Sequence, residues 1–392
     1  MVSALVKGDI FLKVVVAPDS FKGSLTAVQA ALAMAAGICD ADPSIETVML
    51  PAADGGEGTM RSLVGATGGE IVSVLVQDPL GREVDACYGV LGDRKTSVIE
   101  IAEASGLTLL HKDEKNPLVT STFGTGELIV HALDAGLRNF IIGLGGSATN
   151  DGGVGMLQAL GMRFVDEDGL ELSSGGGSLG DLHAIDMRHF DKRISKSTFL
   201  IACDVNNPFV GPTGASAVFG PQKGASIDMV NRLDENLTRL ANVVEQLTGI
   251  SLHGKKGAGA AGGAGGAFQA FFPGEIEQGI EVVLNAISFD KQIIDADLII
   301  TGEGKTDSQT LSGKTPFGVA KVAHKKGKTI ILISGVLEEE SRDLLSPFFN
   351  ELHAITDGTV SSEESIARAS HYLRVKTKQV MENYLINYIK GV

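Results

Sequence analysis

The stretch Phe140-Ile-Ile-Gly-Leu-Gly-Gly-Ser-Ala-Thr-Asn-Asp-Gly-Gly-Val-Gly155 runs from a short apolar strand into a glycine-rich loop and on toward an amphipathic helix. Such a loop turns backbone N–H groups toward a ligand, and the positive end of the helix points at the same place. The pattern predicts an anion site, with phosphate as its natural ligand. The alternative is a tight strand-to-helix turn whose glycines serve geometry alone. The candidate ligand-binding residues of this loop are Gly145, Gly146, Ser147, Thr149, Asn150 and Asp151.

Three further loops have the same character, and each follows a short apolar run that predicts a buried strand. They are Ala17-Pro-Asp-Ser-Phe-Lys-Gly-Ser24, Pro51-Ala-Ala-Asp-Gly-Gly-Glu-Gly-Thr59 and Thr301-Gly-Glu-Gly-Lys-Thr-Asp307. Each mixes glycine with acidic and hydroxyl side chains, and two of them contain a lysine. Because ligands of open α/β sheets bind at the carboxyl ends of the strands, four such loops predict one polar site.

The order of strand and helix patterns predicts an α/β protein of two domains. Alternation in the first 70 residues and again after Asp297 indicates a parallel sheet covered by helices. Between Ile71 and Ile101, short alternating runs with turn signals indicate antiparallel hairpins. We therefore predict a discontinuous Rossmann/flavodoxin-like parallel-sheet domain from residues 1–75 and 290–392, with an inserted mixed α/β domain at 76–289. The inserted domain carries the glycine-rich phosphate loop.

Five motifs, in this order along the chain, resemble those of the glycerate kinases, specifically the bacterial ATP-dependent class. They are Pro18-Asp-Ser-Phe-Lys-Gly-Ser24, Ala53-Asp-Gly-Gly-Glu-Gly58, Gly143-Leu-Gly-Gly-Ser-Ala-Thr-Asn-Asp-Gly-Gly153, Cys203-Asp-Val-Asn-Asn-Pro208 and Thr301-Gly-Glu-Gly-Lys-Thr-Asp307. The resemblance covers nearly the whole chain. It implies magnesium-dependent transfer of the γ-phosphate of ATP to a hydroxyl of D-glycerate, more often the 2-hydroxyl than the 3-hydroxyl, by a two-domain cytoplasmic enzyme. Residues 1–10 read as an extension ahead of the first strand.

A kinase needs positive charge near the transferred phosphoryl group and oxygen ligands for Mg²⁺. Lys22 and Lys305 lie inside glycine loops and are candidate catalytic residues, with solvated loop lysines as the alternative. The candidate magnesium ligands are Asp54, Glu57, Glu303 and Asp307. Helix capping favours the same residue types at such junctions and is the alternative for all four.

Asp204 follows the apolar run Phe199 to Cys203 and is the first candidate for the base that accepts the glycerate hydroxyl proton. Asp19 and Asp151 are its rivals, and an Asx turn is the structural alternative for Asp204. The candidate substrate- and nucleotide-binding residues outside the main loop are Ser20, Asn206, Gly302, Gly304 and Thr306.

Composition limits the function classes. The formal net charge of −15 over 392 residues argues against a nucleic-acid partner, since binding a polyanion needs a basic face. Three widely spaced cysteines and the absence of a targeting or membrane-spanning segment predict a cytoplasmic protein without a membrane partner. Its expected oligomeric state is either a monomer or a homodimer.

Two questions stay open on sequence alone. Residues 257–267 hold six glycines and five alanines, which is typical of a flexible linker or of backbone packed closely against a neighbour. The glycine loops also suit a phosphosugar isomerase, a phosphatase or a regulator that binds a phosphometabolite. The carboxylates inside the loops favour a kinase, because they are unfavourable beside phosphate unless a cation intervenes.

Overall fold

The computed structural model describes residues 12–356 and 361–390. Within them, the strands are β1 (Lys13–Val16), β2 (Glu46–Met49), β3 (Glu70–Gln77), β4 (Glu83–Val90), β5 (Thr96–Glu100), β6 (Asn139–Gly143), β7 (Arg163–Val165), β8 (Ala184–Asp186), β9 (Thr198–Ala202), β10 (Gly274–Glu277), β11 (Leu298–Thr306), β12 (Thr329–Leu337) and β13 (Glu351–Ala354). The α-helices are α1 (Ala27–Ala41), α2 (Thr59–Thr67), α3 (Ala102–Ser105), α4 (Phe123–Asp134), α5 (Val154–Ala159), α6 (Ala215–Phe219), α7 (Ile227–Thr248), α8 (Ala264–Phe271), α9 (Gly279–Ala286), α10 (Phe289–Gln292), α11 (Thr315–Lys325), α12 (Arg342–Leu345), α13 (Ser362–Ala367) and α14 (Ala369–Lys390).

The described residues pack into two compact units, and both are α/β as predicted. The first unit contains the chain up to Asp54, residues 61–66 and the chain from Val283 onward, and the second contains residues 55–60 and 67–282. The predicted domain limits, 1–75 with 290–392 and 76–289, stay a prediction. The predicted extension at residues 1–10 lies outside the described residues.

The first unit is built on a five-stranded sheet in the order β13-β12-β11-β1-β2. Every pair in it is parallel. This is the flavodoxin-like order, whose direction of winding reverses between β1 and β11. The central strands are continuous apolar runs because helices cover both faces of a parallel sheet. Its core contains Val14, Val16, Met34, Ile38, Ile300, Ile333 and Leu373.

The sequence prediction of a loop at residues 301–307 is wrong. Strand β11 continues to Thr306, and Lys305 and Thr306 pair with Val336 and Leu337 of β12. The glycines that suggested a turn serve close packing instead. A Cβ atom on Gly302 would lie 2.2 Å from the carbonyl oxygen of Ile333, so only glycine fits this position of the sheet.

The second unit is built on a six-stranded mixed sheet in the order β10-β9-β6-β5-β4-β3. Strands β3, β4 and β5 are antiparallel neighbours, which confirms the predicted hairpins, whereas β5, β6, β9 and β10 are parallel. Phe140 of β6 and Phe199 of β9 stack with ring centroids 4.6 Å apart. Helix α7 is amphipathic and buries a stripe formed by Leu233, Leu237, Leu240 and Val244.

Residues 257–267 are not a linker. They form the 3-10 helix Ala260–Gly263 and the start of α8, and residues 258–268 are buried. Gly262 has a φ of +65°, and a Cβ atom there would lie 1.9 Å from the carbonyl oxygen of Thr149. Small residues are therefore needed because this backbone lies directly against the glycine-rich loop of the same unit.

Among the helices that the structure describes between residues 12 and 390, none combines the length and hydropathy that crossing a bilayer requires.

Gly37 tests the packing of the first unit. Replacing a glycine inside a helix by alanine normally stabilises the helix by about 0.5–1 kcal/mol. At Gly37 of α1, however, the new Cβ atom would lie 2.4 Å from the carbonyl oxygen of Arg374 in α14. We expect Gly37→Ala to lower the free energy of unfolding by about 1–3 kcal/mol in urea titrations, because the helices must separate.

Gly65→Ala is the matched control. Gly65 is an exposed glycine inside α2, where the nearest neighbour of a new Cβ is the Val28 methyl group at 3.3 Å. This variant should be neutral or slightly more stable. Equal stability changes in the two variants would contradict close packing of α1 on α14.

Candidate functional site

The first unit has a cavity of about 300 Å³ at the carboxyl ends of β1 and β11. This is where the winding of the sheet reverses, the usual ligand position in such folds. Polar and charged residues line much of it: Asp19, Ser20, Lys22, Ser24, Asp54, Glu303, Lys305, Asp307 and Lys314. Seven of these nine were predicted site residues, and the backbone of Gly304 contributes as well. An apolar wall is formed by Phe21, Val336, Ile355, Ile366 and Ala369.

Asp19 is held rigidly in this cavity. Its backbone N–H donates to the carbonyl of Gly302 at 2.8 Å, which ties the end of β1 to β11. Its carboxylate accepts hydrogen bonds from the Thr315 hydroxyl and the Ser20 N–H, both at 2.6 Å. Burial, with the nearby charge of Asp54, raises the pKa of Asp19 to about 6. A carboxylate with that pKa is suited to accept a proton near neutral pH.

Glu303 and Asp307 are held by the protein's own groups. Glu303 accepts hydrogen bonds from Thr306 and Thr310 at 2.9 and 2.7 Å, and burial raises its pKa. Asp307 begins the 3-10 helix Ser308–Ser312 by accepting from the Gln309 N–H. Although burial opposes it, the ammonium of Lys314 keeps the pKa of Asp307 low.

Lys314 is a site residue that sequence reasoning missed. Its Nζ lies 3.2 Å from Asp307 Oδ1 and 3.8 Å from Glu303 Oε2, inside the cavity. The available signal was its position directly before the Thr315-Pro316 start of α11. Lys305, which was predicted, has a side chain 57% exposed and pairs with Glu338 at 2.7 Å. Lys22 is exposed at the rim.

Two other predicted binding residues of the first unit face the protein interior. Gly302 is buried in the sheet, and the fully buried Thr306 hydroxyl bonds to Glu303 and to Ser334. Both are structural neighbours of the cavity rather than part of its lining.

The predicted magnesium ligands are not gathered into one cluster. Between residues 12 and 390, as far as the structure describes them, no three His, Cys, Asp or Glu side chains are placed to hold a metal ion. Asp54, Glu303 and Asp307 line the cavity of the first unit, whereas Glu57 belongs to the second. Mg²⁺ commonly uses one or two carboxylates together with substrate phosphates, so the residues present still fit that mode of binding.

The second unit gathers other predicted residues at the carboxyl edge of its sheet. Gly145 and Gly146 follow β6 and are exposed. The backbone of Gly56, next to exposed Glu57, packs against Gly145, where a Cβ atom would lie 3.2 Å from the Gly56 Cα. Asp204 follows β9, is exposed, and accepts from the Gly279 N–H at 2.9 Å, while Asn206 nearby is exposed too.

Glu100, at the end of β5, was not predicted as part of this edge. Its carboxylate accepts from the N–H groups of Gly58 and Met60 at the start of α2, and burial raises its pKa. It anchors the segment that carries Glu57. The residue type gave no signal, because a buried glutamate inside an apolar strand is identified only by its partners.

Part of the glycine-rich loop is buried, including four of its six candidate ligand-binding residues. The side chains of Ser147, Thr149, Asn150 and Asp151 are at most 5% exposed. Helix α5 is only six residues long, and the carboxylate of Asp151 accepts from the Gly153 and Gly155 N–H groups at its start. Asp151 thus occupies the position that the sequence assigned to an anionic ligand, which leaves Gly145 and Gly146 as the accessible part.

Lys223, a third residue that the sequence analysis did not identify, lies beneath this loop. Its side chain is buried, and its Nζ donates to Ser147 Oγ at 2.8 Å and to the Thr149 carbonyl at 2.7 Å. Burial lowers the pKa of Lys223 to about 7, although the charge of Asp151 opposes this shift. Nothing in the sequence around Pro221-Gln-Lys223 distinguishes this lysine from a surface residue.

Comparisons with known proteins show the family to which this chain belongs. The model of the glycerate kinase family matches residues 14–385. The glycerate kinase of Bacillus subtilis (strain 168) is 47% identical over 369 residues, covering 94% of this chain and 97% of that protein. The glycerate 2-kinase of Escherichia coli (strain K12) is 44% identical, with 95% of this chain and all of that protein covered.

A crystal structure described as glycerate kinase 2 from Salmonella typhimurium LT2 superposes with a TM-score of 0.88 at 44% identity. The match covers 96% of this chain and 99% of that one. A family model and relatives that extend over nearly the full length leave no large part of the chain outside the likeness. The chain belongs to the glycerate kinase family and is therefore a kinase.

Proposed function

We propose that this kinase transfers the γ-phosphate of ATP to the 2-hydroxyl of D-glycerate, yielding 2-phosphoglycerate and ADP. Family membership supports the reaction class, and the name of the Escherichia coli relative, glycerate 2-kinase, supports the choice of hydroxyl. The observation that carries the proposal is the polar cavity of the first unit, with a raised-pKa aspartate among lysines. An isomerase, a phosphatase or a non-catalytic regulator, the alternatives from sequence, does not account for a kinase family match.

Asp19 is the base of the proposed reaction in place of Asp204. It is held by Thr315 and Ser20, and its pKa of about 6 leaves it ionised yet basic at neutral pH. As the glycerate hydroxyl oxygen forms its bond to the γ-phosphorus, its proton passes to the Asp19 carboxylate, and the bond to the ADP oxygen breaks. Asp204 is exposed, and its carboxylate is bonded to the Gly279 N–H.

Lys314 and Lys22 supply positive charge to this cavity. Both lysines line the cavity. Lys314 is held between two carboxylates, so its ammonium group has a fixed position. Fixed charge of this kind stabilises charge that develops on phosphoryl oxygens. Asp54 would hold Mg²⁺ together with phosphate oxygens of ATP, and the ion would neutralise part of their charge.

The exposed glycines of the second unit are assigned to phosphate. Gly146 has a φ of +75°, and its N–H and that of Gly145 belong to an accessible, glycine-only part of the loop. Backbone N–H groups in such loops bind phosphate oxygens. The cytoplasmic location and the oligomeric state, monomer or homodimer, stay predictions from the sequence.

The function is tested by incubating the purified chain with D-glycerate, ATP and Mg²⁺ and identifying the product by ³¹P NMR. We expect 2-phosphoglycerate, no turnover of L-glycerate at a comparable rate, and loss of activity with a chelator that added Mg²⁺ restores. Formation of 3-phosphoglycerate would contradict the choice of hydroxyl alone. Absence of any phosphoglycerate would contradict the proposed function.

Asp19→Asn tests the base. The amide keeps the shape but accepts no proton, so kcat should fall by about two to four orders of magnitude, with little change in the KM for ATP. Asp42→Asn is the control, because Asp42 also accepts from a serine N–H and a hydroxyl, yet on the surface of the same unit. A near-normal kcat in Asp19→Asn would return the role to Asp204.

The variants Lys314→Met and Lys305→Met distinguish the roles of the two lysines that pair with acidic residues of the cavity. Loss of the cation held between Glu303 and Asp307 should lower kcat/KM by at least about tenfold. Lys305 is mostly exposed and pairs with Glu338, so its replacement should change kcat/KM by less than about threefold. The reverse order, measured by steady-state kinetics, would favour the original assignment of Lys305.

A further inference from the structure

We propose that Lys223 is a positioning residue for phosphate binding: its buried ammonium holds residues 147–149 so that Gly145 and Gly146 present their backbone to an anion. This inference rests on the proposed function, since it concerns how the glycine-rich loop of the second unit binds nucleotide. It assigns a role to a side chain that lies outside every motif of the sequence.

The first support is the geometry of the lysine. Its Nζ reaches two points of the loop two residues apart, Ser147 Oγ at 2.8 Å and the Thr149 carbonyl at 2.7 Å. The lysine comes from the short 3-10 helix Pro221–Lys223, which a different part of the chain supplies. The ammonium group thus binds both ends of the segment 147–149. It therefore fixes the direction of the chain on either side of this segment.

The second support is the cost of burying this group. The side chain is only 2% exposed, and an ammonium group loses most of its hydration at such a site. A methionine of similar volume would avoid that penalty but would leave Ser147 Oγ and the Thr149 carbonyl without this donor. The buried ammonium group is therefore tied to these two points of the loop.

The third support is that the backbone around these two points already has other anchors. The Gly146 carbonyl accepts from the Leu107 N–H, and the Ala148 N–H donates to the Ser105 carbonyl. Asp151 accepts from Thr122, Gly153 and Gly155. Between these anchors, Ser147 and the Thr149 carbonyl are held by Lys223. Removing Lys223 takes the donor away from Ser147 Oγ and the Thr149 carbonyl, directly next to the two exposed glycines.

Lys223→Met is the decisive variant. We expect the Kd for MgADP, measured by calorimetry on the full chain, to rise at least tenfold, while kcat at saturating ATP changes less than threefold. Hydrogen exchange in peptides covering residues 144–149 should become faster, because the segment loses its two side-chain bonds. A purely structural lysine would change the melting temperature and leave Kd and this exchange unaltered, which would overturn the proposal.

Arg138→Met is the matched control. Arg138 also donates to two carbonyls, those of Leu133 and Leu137 at 2.9 and 2.7 Å, and it directly precedes β6, at the opposite end of that strand from Gly145. The Arg138→Met variant should leave the Kd for MgADP unchanged even if it lowers the stability of the protein. An equal loss of affinity in this variant would show a general effect of destabilisation and overturn the role of Lys223.

Ser147→Ala keeps the test decisive if Lys223→Met does not fold. It removes one of the two acceptors and leaves the lysine in place, so the Kd for MgADP should rise in the same direction. The double variant of Ser147→Ala and Lys223→Met should have nearly the same Kd for MgADP as Lys223→Met alone. Wild-type affinity and exchange in Ser147→Ala would overturn the proposal. Failure of the proposed function is distinct, because the wild-type chain would then form no phosphoglycerate from ATP.

Discussion

The parallel pairing of β1 with β11 is the contact on which the candidate site of the first unit depends. Val14, Val15 and Val16 lie opposite Leu298, Ile299 and Ile300, and the Thr301 hydroxyl donates to the Ala17 carbonyl 284 residues away. Because the winding of the sheet reverses between these strands, the connections that follow their carboxyl ends leave in different directions. Asp19 and Glu303 reach one cavity for this reason, although the whole second unit separates them in the sequence.

Lysines balance part of the acidic charge in that cavity, in a chain whose formal net charge is −15. Burial raises the pKa of Asp19 and of Glu303; the charge of Asp54 adds to this effect at Asp19, and the charge of Asp19 adds to it at Glu303. Lys22 and Lys314 offset part of it. Such a set of acids is stable only beside cations, which is consistent with a site that receives Mg²⁺ and a phosphorylated substrate.

The two parts of the glycine-rich loop of the second unit differ in their exposure. Its first two glycines are accessible, whereas its polar residues are buried, and Ser147, the Asn150 amide nitrogen and Asp151 form hydrogen bonds within the protein. Gly262, with positive φ, lets another backbone segment cover the Thr149 carbonyl. Side chains that the sequence suggests as phosphate ligands are thus buried inside the unit, and the backbone of Gly145 and Gly146 is the exposed part of the loop.

The sequence by itself determined the α/β class and the strands that lead into the candidate site, because apolar periodicity records which faces are buried. It also identified the segments that follow β1 and β2 and line the cavity, since glycine, acidic and lysine residues directly after apolar runs mark strand ends. Only the tertiary structure decided that β11 continues through Gly302 and Gly304, because that depends on the close approach of Ile333 and Phe21. Likewise, Lys314, Glu100 and Lys223 have neighbours distant in sequence, and burial and hydrogen-bond partners across such separations leave no local pattern in the chain.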